Sequence, residues 1–490
     1  MLKIKLKFPY LFITALLFLV ELLSFLAHFY PVLQLYFLLA IFIIVLIVSL
    51  KSLETGILIL LIELIIGSKG HLFSANLFGI SLSLRLIIFL ALMIASFAFL
   101  LRNNFKKIYL EKIKVYKFWP LLIALVFFIF LAAINGFLSG NNFNDLFHDL
   151  NAWLFIPIIL PFILVYLPKP EKIQIKRLKK IFFIAIIFLS FKSLFFLYAF
   201  SHNLAFVPDL YLWIRRSGIG EITSMGGGYN RIFIQSQVYL AIAIFLILFK
   251  AIAIKDNKYF NICYLLLLSL FSSGLILSMS RSFWLAILTS TLIAMIAIFK
   301  TDFKAYLKAL SYLSLSLLMS LALISAVTKF PFPSSQKVSL AALGERLEIN
   351  NSEAATASRW ALLPKLTEKI LARPFTGSGF GTTISYQSQD PRVLAQNPDG
   401  NYTSYAFEWS YLDTLLKLGI FGFLVFILLI TQILLSLWNK AKYLKSTTLL
   451  AVTASLLFFL IVNIFTPYLN HPLGLAFLLF SSCFVKKNTI

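Results

Sequence analysis

Charge is scarce in this sequence. Only 13% of its 490 residues are Asp, Glu, Lys or Arg, against roughly 25% in a soluble globular domain. Cysteine is nearly missing: Cys263 and Cys483 are the only two. One widely spaced pair builds neither a disulfide framework nor a thiolate metal site. Histidine is almost as rare. His28, His71, His148, His202 and His471 stand apart, none within four residues of another, so their spacing points to no metal, and no cofactor is expected. Acidic residues number 19 against 43 basic ones, a net charge of +24. In a soluble chain that excess would suggest nucleic acid. Here the basic residues sit in short loops rather than in a basic domain, and no nucleic-acid partner is expected. Two further patterns are missing. No self-similar period of roughly 20–50 residues indicates a solenoid. No alternating segments of about 10 residues indicate a membrane β-barrel.

What is present is long apolar sequence. Runs of roughly 17–25 residues, each long enough to cross about 30 Å of hydrocarbon as a helix, recur along most of the chain. They fall at 9–29, 31–50, 54–67, 82–101, 118–138, 150–167, 181–200, 232–250, 259–278, 282–299, 306–327, 411–438, 446–466 and 470–485. The third is short and carries Glu63. The expected fold class is all-α: a polytopic helical membrane protein of about 14 transmembrane helices (12–14). The opening MLKIKLK resembles the basic start of a signal peptide, but no small-residue cleavage site follows. An uncleaved first span is expected.

Loop charge gives an orientation. One alternating set of loops holds 27 Lys and Arg, whereas the opposite short loops hold only Lys69, Arg215, Arg216, Arg231 and Arg281. The positive-inside rule then predicts both termini in the cytoplasm. Arg281, inside "SMSRSFWLA", falls at the outer membrane face rather than in mid-bilayer. The long segment 328–410 also falls outside, with 8 basic and 7 acidic residues. The expected organisation is a membrane domain over 1–327 with eleven spans, an extracytoplasmic loop with short amphipathic helices over 328–410, and three last spans over 411–490.

A loop of that length is usually functional or disordered. "SRWALLPKLTEKILARPF" has helical spacing of Trp360, Leu363, Leu366, Ile370 and Leu371, with Ser358 as a candidate N-cap. It reads either as a surface cover helix or as one lying in the interface or lining a site. Arg373-Pro374 ends it and "GSGFG" follows as a turn. That turn lacks the Lys-Ser/Thr ending of a phosphate loop, and no strand precedes it. Next, Glu408, Tyr411, Leu412 and Leu415 share a helical face entering the twelfth span. Gly419 and Gly422 there permit close helix packing.

Arg231, Arg281, Arg359 and Arg373, with the carboxylate of Glu408, thus map to the outer side. Arginine is always charged and presents a planar fork of donors that matches phosphate oxygens. Several at one interface suggest a lipid-linked phosphate or diphosphate; the bland alternative for each is snorkelling toward headgroups. Ser278, Ser280 and Ser282 flank Arg281 with hydroxyls that would orient it or share its ligand. Glu408 reads either as a functional carboxylate or as the ion-pair partner of one arginine.

In order along the chain, "YNRIF", "SMSRSFWLA", "RWALLPKLTEKILARPFTGSGFG" and "EWSYLDTLLKLGIFG" resemble segments of the O-antigen ligase and polymerase superfamily. Together they touch residues 229–422. Ligases of that superfamily typically begin the last segment with His-Asn; this chain has Glu408 and Trp409. It resembles the polymerase-like members, which often carry an acidic residue there.

The resemblance implies a metal-independent glycosyltransferase of the inner membrane. Its donor would be a glycan on undecaprenyl diphosphate, and it would polymerise O-antigen-type repeat units. It implies Arg281 and Glu408 as catalytic residues; Arg231, Arg281, Arg359 and Arg373 as diphosphate contacts; and Tyr411 and Ser280 in acceptor or loop packing. The implied partners are a lipid-linked oligosaccharide, a glycan acceptor, membrane lipids and a chain-length regulator. A ligase or protein oligosaccharyltransferase would use the same donor with another acceptor. A transporter of the lipid-linked glycan is the alternative from a different class. Such proteins place ionisable groups near the midplane, and Glu21 and Glu63 are the main mid-span charges in this reading.

Overall fold

The computed structural model describes residues 9–77, 80–101, 111–167, 171–225, 228–253, 258–299, 302–331 and 354–485. Many of the basic loop residues behind the orientation count, and residues 332–353 of the long loop, lie outside the described residues.

Each of the fourteen apolar segments falls on helix. They form α1 (Pro9–Phe29), α2 (Pro31–Lys51), α3 (Leu53–Ile66), α4 (Leu84–Leu101), α5 (Trp119–Leu138), α6 (Phe143–Trp153) continuing into α7 (Ile159–Tyr166), α8 (Lys172–Ser201), α10 (Val238–Ala253), α11 (Lys258–Leu277), α12 (Arg281–Phe299), α13 (Phe303–Lys329), α16 (Ser410–Tyr443), α17 (Thr447–Phe465) and α18 (Pro472–Ser482). Among the described residues eleven helical segments are long and apolar enough to cross a membrane. Arg281–Ile296 and Pro472–Ser482 are shorter apolar helices, and α3 has only 14 residues. The remaining helices are α9 (Val207–Arg216), α14 (Ala354–Ala372) and α15 (Pro391–Gln396). Three two-stranded hairpins complete the described elements: β1 (Ser74–Leu77) with β2 (Ile80–Ser83), β3 (Glu221–Ser224) with β4 (Asn230–Phe233), and β5 (Ile384–Gln387) with β6 (Asn401–Ser404). This is an all-α polytopic membrane protein with minimal sheet.

Local chemistry sets the boundaries. Pro31, Pro120 and Pro472 stand in the first turn of their helices, where a missing N–H costs nothing. Ser52, Asn142 and Ser446 accept backbone N–H bonds as N-caps. Between α6 and α7 the sixth span is interrupted by the 3-10 turn Ile156–Ile158, since Pro157 and Pro161 cannot donate to an α-helical ladder.

The chain divides into two compact units. One comprises Met1–Glu111, Leu160–Trp284 and Ala294–Arg346; the other comprises Lys112–Ile159, Leu285–Ile293 and Leu347–Ile490. In the first, α2 packs on α3 and α4, α3 on α8, α8 on α11, and α11 on α10 and α13. In the second, α16 packs on α5, α14, α17 and α18.

The spans carry more charge than Glu21 and Glu63. In the first unit, Lys192 on α8 donates to Glu21 on α1 (2.5 Å) and to the Ile66 carbonyl (3.1 Å). Arg85 on α4 forks onto Glu63 on α3 at 2.9 and 3.1 Å and donates to the Ser68 carbonyl at 2.6 Å. All four side chains are buried. Each charge is matched within hydrogen-bond reach, the condition under which an ion persists inside a low-dielectric medium.

Candidate functional site

In the first unit, α11 and α12 are joined by only Ser278, Met279 and Ser280. Met279 takes a left-handed conformation, φ 45°. The Ser278 hydroxyl donates to the Leu275 carbonyl and accepts from the Ser280 N–H. The Ser280 carbonyl receives the N–H groups of Phe283 and Trp284, opening α12. The Ser280 and Ser282 hydroxyls share a hydrogen bond of 3.0 Å. Arg281 is thereby the first residue of α12, half-buried. The three serines first build the turn that presents Arg281.

Arg231 lies on β4 opposite Thr223. Its Nε donates to the Ser278 carbonyl at 2.8 Å, and its guanidinium lies 4.8 Å from the Phe233 ring centroid. Phe233 in turn meets Phe283 at 5.8 Å. The structure therefore brings Arg231 onto the linker that carries Arg281. Two arginines 50 positions apart cannot be brought together from sequence spacing alone.

In the second unit, the Arg359 guanidinium and the Glu408 carboxylate form an ion pair. The two side chains keep 33% and 53% of their exposure. Glu408 precedes α16 rather than lying on it; Trp409 is the N-cap residue and Ser410 begins the helix. The expected shared face from Glu408 to Leu415 therefore does not include Glu408. Two aromatic pairs belong to this region: Trp360 and Trp409, which adjoin Arg359 and Glu408 in the chain, and Tyr386 and Tyr402, of which Tyr386 packs with Trp409 on one core and feels the Glu408 charge. Trp360 meets Trp409 edge-on at 5.9 Å, and the Trp409 indole N–H donates to the Arg359 carbonyl at 3.1 Å. Tyr386 on β5 pairs with Tyr402 on β6, their rings edge-on at 5.8 Å. Burial, then Tyr402 and the Glu408 charge, push the Tyr386 phenol up to about 12.

These side chains rest on a small core of Leu362, Leu366, Ile384, Phe407 and Leu416, with Ile370, Tyr386, Trp409 and Leu412 packed at its edge. The buried face of α14 is thus Leu362, Leu366 and Ile370. Trp360 and Leu371, expected on the apolar face, are 57% and 70% exposed. The register moves because β5 and α16 both press on that one side of α14. Ser358 is not an N-cap, since α14 begins at Ala354. Its hydroxyl instead accepts the Gln389 N–H at 2.9 Å and meets the Ser388 hydroxyl at 3.2 Å.

Arg373 donates to the Ser139 hydroxyl at 2.7 Å and is exposed. Tyr411 donates to the Leu460 carbonyl at 2.9 Å, tying α16 to α17.

The GSGFG turn is an inserted element. Gly419 breaks α16, with φ 68° and ψ 177°. Residues 374–379 run along the break: Ser378 and Gly379 N–H groups bond the Leu416 and Lys417 carbonyls, and the Ile420 N–H bonds the Pro374 carbonyl. On the other side the Phe380 N–H reaches the Ala132 carbonyl of α5, and Asn135 and Asn141 donate to the Thr376 and Phe380 carbonyls. Irregular backbone within an apolar helix is tolerated where protein groups re-satisfy it.

Directly beside this turn is a charge cluster the sequence reading did not single out. Lys417 donates to Asp149 at 2.7 Å and to the Tyr405 carbonyl at 3.0 Å, and lies 2.6 Å from Asp413. Asp149 also accepts the Gly381 N–H at 3.0 Å, and Asp413 accepts from Asn470 at 3.2 Å. The available sequence signal was Asp413 and Lys417 at i,i+4 inside an apolar span, a spacing that pairs on a helix.

No curated protein matches the chain. Residues 264–427, a third of the chain, match the family model described as O-Antigen ligase. The matched segment contains Arg281, Arg359, Arg373, Glu408 and Lys417 and begins after Arg231. That family consists of membrane glycosyltransferase-like enzymes, ligases and polymerases, which act on lipid-linked glycans. The match over residues 264–427 supports membership of the O-antigen ligase/polymerase superfamily.

Proposed function

We propose that this protein is a polymerase of lipid-linked repeat units, a glycosyltransferase working at the outer face of the cytoplasmic membrane with both termini inside. The observation that carries the reading is the family match over residues 264–427. Glu408, where ligases of the superfamily resemble one another in a histidine, favours polymerisation over ligation.

The donor is a glycan on undecaprenyl diphosphate. An acceptor hydroxyl attacks the anomeric carbon, the bond from that carbon to the phosphate oxygen breaks, and the lipid diphosphate leaves with the electron pair. Diphosphate is a good leaving group, so no second carboxylic acid is required, unlike a hydrolase with its carboxylate pair. Negative charge grows on the departing phosphate, and fixed cations there stabilise the transition state. Arg281, at the first turn of α12, takes this role; the helix N-terminus adds its own partial positive charge. Arg231 supports it from the hairpin, with its Nε held by Ser278. Arg359 and Arg373 remain further candidate phosphate contacts of the second unit. Glu408, paired with Arg359, orients the acceptor hydroxyl or takes its proton. In this reading the loop 328–410 is the extracytoplasmic part between the membrane segments 1–327 and 411–490.

Incubation of the purified protein with a lipid-diphosphate oligosaccharide, followed by mass analysis of chain length, tests the reading. Longer lipid-linked chains are expected, and Arg281→Ala is expected to lose nearly all of them. Glycan transferred only to another lipid or to protein would make the enzyme a ligase or oligosaccharyltransferase. Movement of the donor across liposomes without a new glycosidic bond would make it a transporter.

A further inference from the structure

The surroundings of Glu408 contain more than the carboxylate needs. Trp360 is 57% exposed and Tyr402 is 39% exposed, yet both have ring partners that fix their orientation, Trp409 and Tyr386. Exposed large aromatics held rigidly, with polar groups between them, are the usual lining of a site for a partly apolar ligand. The polar groups here are Arg359 and Glu408, the chain neighbours of Trp360 and Trp409, joined as an ion pair; the Glu408 charge also acts on Tyr386. The outward side of the same hairpin is hydrophilic: Ser385 and Thr403 share a hydroxyl hydrogen bond of 2.6 Å and are exposed, as are Gln387 and Asn401.

A pyranose has the matching chemistry. Its axial C–H face lies against an aromatic ring, while its equatorial hydroxyls reach carboxylate and guanidinium groups at the rim. A lipid tail does not match, because Glu408 keeps 53% of its side-chain exposure, and a carboxylate facing hydrocarbon is costly. At the Glu408 carboxylate itself a phosphate does not match either, because like charges repel; a phosphate contact of Arg359 requires its release from Glu408.

We infer that Trp360, Trp409, Tyr386 and Tyr402 form a saccharide subsite around Glu408 that seats the acceptor sugar. That the bound sugar is the acceptor rests on the glycosyltransferase reading; that the site takes a sugar rests on the second unit's own side chains. The subsite places a sugar hydroxyl at Glu408 while the rings hold the pyranose faces. Tyr402 and Trp360, exposed at the rim, contribute to affinity; Tyr386 and Trp409, half-buried on the core, hold the other two rings in place.

The test uses full-length protein in detergent micelles. The probe is lipid-free oligosaccharide released by mild acid from the surface polysaccharide of the source cells. Tryptophan fluorescence titration gives binding, and turnover with a lipid-diphosphate donor gives KM for the acceptor and kcat. Tyr402→Ala and Trp360→Ala remove exposed rings, and an unchanged thermal unfolding midpoint checks that each still folds. Each variant is expected to raise both the half-saturation concentration and KM by up to about tenfold, with kcat much less affected, the size of effect one aromatic contact supplies. Tyr402→Phe is expected to recover most of the affinity. Binding and KM unchanged in both alanine variants would overturn the subsite. So would quenching of Trp360 by brominated lipids with no response to oligosaccharide, which makes it an interfacial anchor. Oligosaccharide binding that the variants weaken, without any glycosidic bond formed from the donor, supports the subsite while rejecting the enzymatic reading.

Discussion

Lys417 and Asp149 lie 268 positions apart and meet at 2.7 Å, with 3% and 10% of their side-chain surfaces exposed. The pair joins α16 to α6, and Asp413 adds a second carboxylate to the same ammonium. Removing the cation alone leaves two carboxylates buried against each other. Loss of one partner of a buried ion pair typically costs about 3–5 kcal/mol. Lys417→Met is therefore expected to lower the thermal unfolding midpoint sharply and reduce the folded yield in detergent. The triple change Lys417→Met, Asp149→Asn, Asp413→Asn removes the charges together and is expected to regain much of that loss. A triple variant no better than the single one would show that the shape of Lys417, not its charge, is what matters.

The two ion pairs of the first unit obey the same logic but belong to no proposed chemistry. Glu63 with Arg85, and Glu21 with Lys192, are the kind of intramembrane groups that suggest a transport path. In each pair the cation instead donates both to its carboxylate and to a backbone carbonyl, Ser68 or Ile66. Glu21→Gln alone is expected to destabilise by about 3–5 kcal/mol, and Glu21→Gln with Lys192→Met by clearly less. Chain lengthening per folded molecule is expected to stay near the wild-type level in the double variant. Abolished turnover in a well-folded double variant would return these residues to a functional role.

Gly419 is a backbone prediction. A methyl group there would collide with the Phe375 carbonyl and the Gly377 N–H, and its φ of 68° lies in the left-handed region. Such strain costs on the order of 1–3 kcal/mol before the collision is counted. Gly419→Ala is expected to displace the inserted GSGFG turn, read as new protease sensitivity near residues 374–381. Gly422→Ala would place its methyl 2.7 Å from the Leu418 Cβ and 3.0 Å from the Phe128 Cβ; it is expected to be milder, because the clash is less close and no left-handed φ is involved.

The helices were legible because a transmembrane helix announces itself locally, by length and apolar content. All fourteen segments fell on helix for that reason. The break in α16 was not legible. Gly419 and Gly422 read together as a packing motif, and only the Pro374–Gly379 segment lying along the helix shows that Gly419 is a break. The charge cluster was half legible: Asp413 and Lys417 sit one turn apart, but Asp149 arrives from a distant segment. Glu408 was readable as some arginine's partner. Choosing Arg359 among four arginines required α14, β5 and the start of α16 to fold over one core. The apolar face of α14 was legible in Leu366 and Ile370 but not at its edges, where Leu362 is buried and Trp360 and Leu371 are exposed, because helical spacing admits two overlapping faces and only the neighbouring elements select one.

The pair Arg359–Glu408 separates stability from activity. With 33% and 53% side-chain exposure, it is solvated, and exposed ion pairs contribute only about 0–1 kcal/mol. Glu408→Gln keeps the size and one acceptor oxygen, so the fold is expected to change by no more than that. A group that takes or orients a proton in the transition state contributes roughly 10²- to 10⁴-fold to rate. The predicted signature is thus a variant that unfolds at the wild-type temperature and extends chains at least about a hundredfold more slowly. Arg359→Ala frees the carboxylate from its partner and is expected to retain more activity than Glu408→Gln, since the oxygen atoms that meet the acceptor remain. In the double variant the loss is expected to equal that of Glu408→Gln alone, because Arg359 then has no carboxylate to hold. Additive losses, measured as ratios of kcat/KM, would instead give Arg359 a contact of its own with the substrate, in keeping with its candidacy as a phosphate ligand.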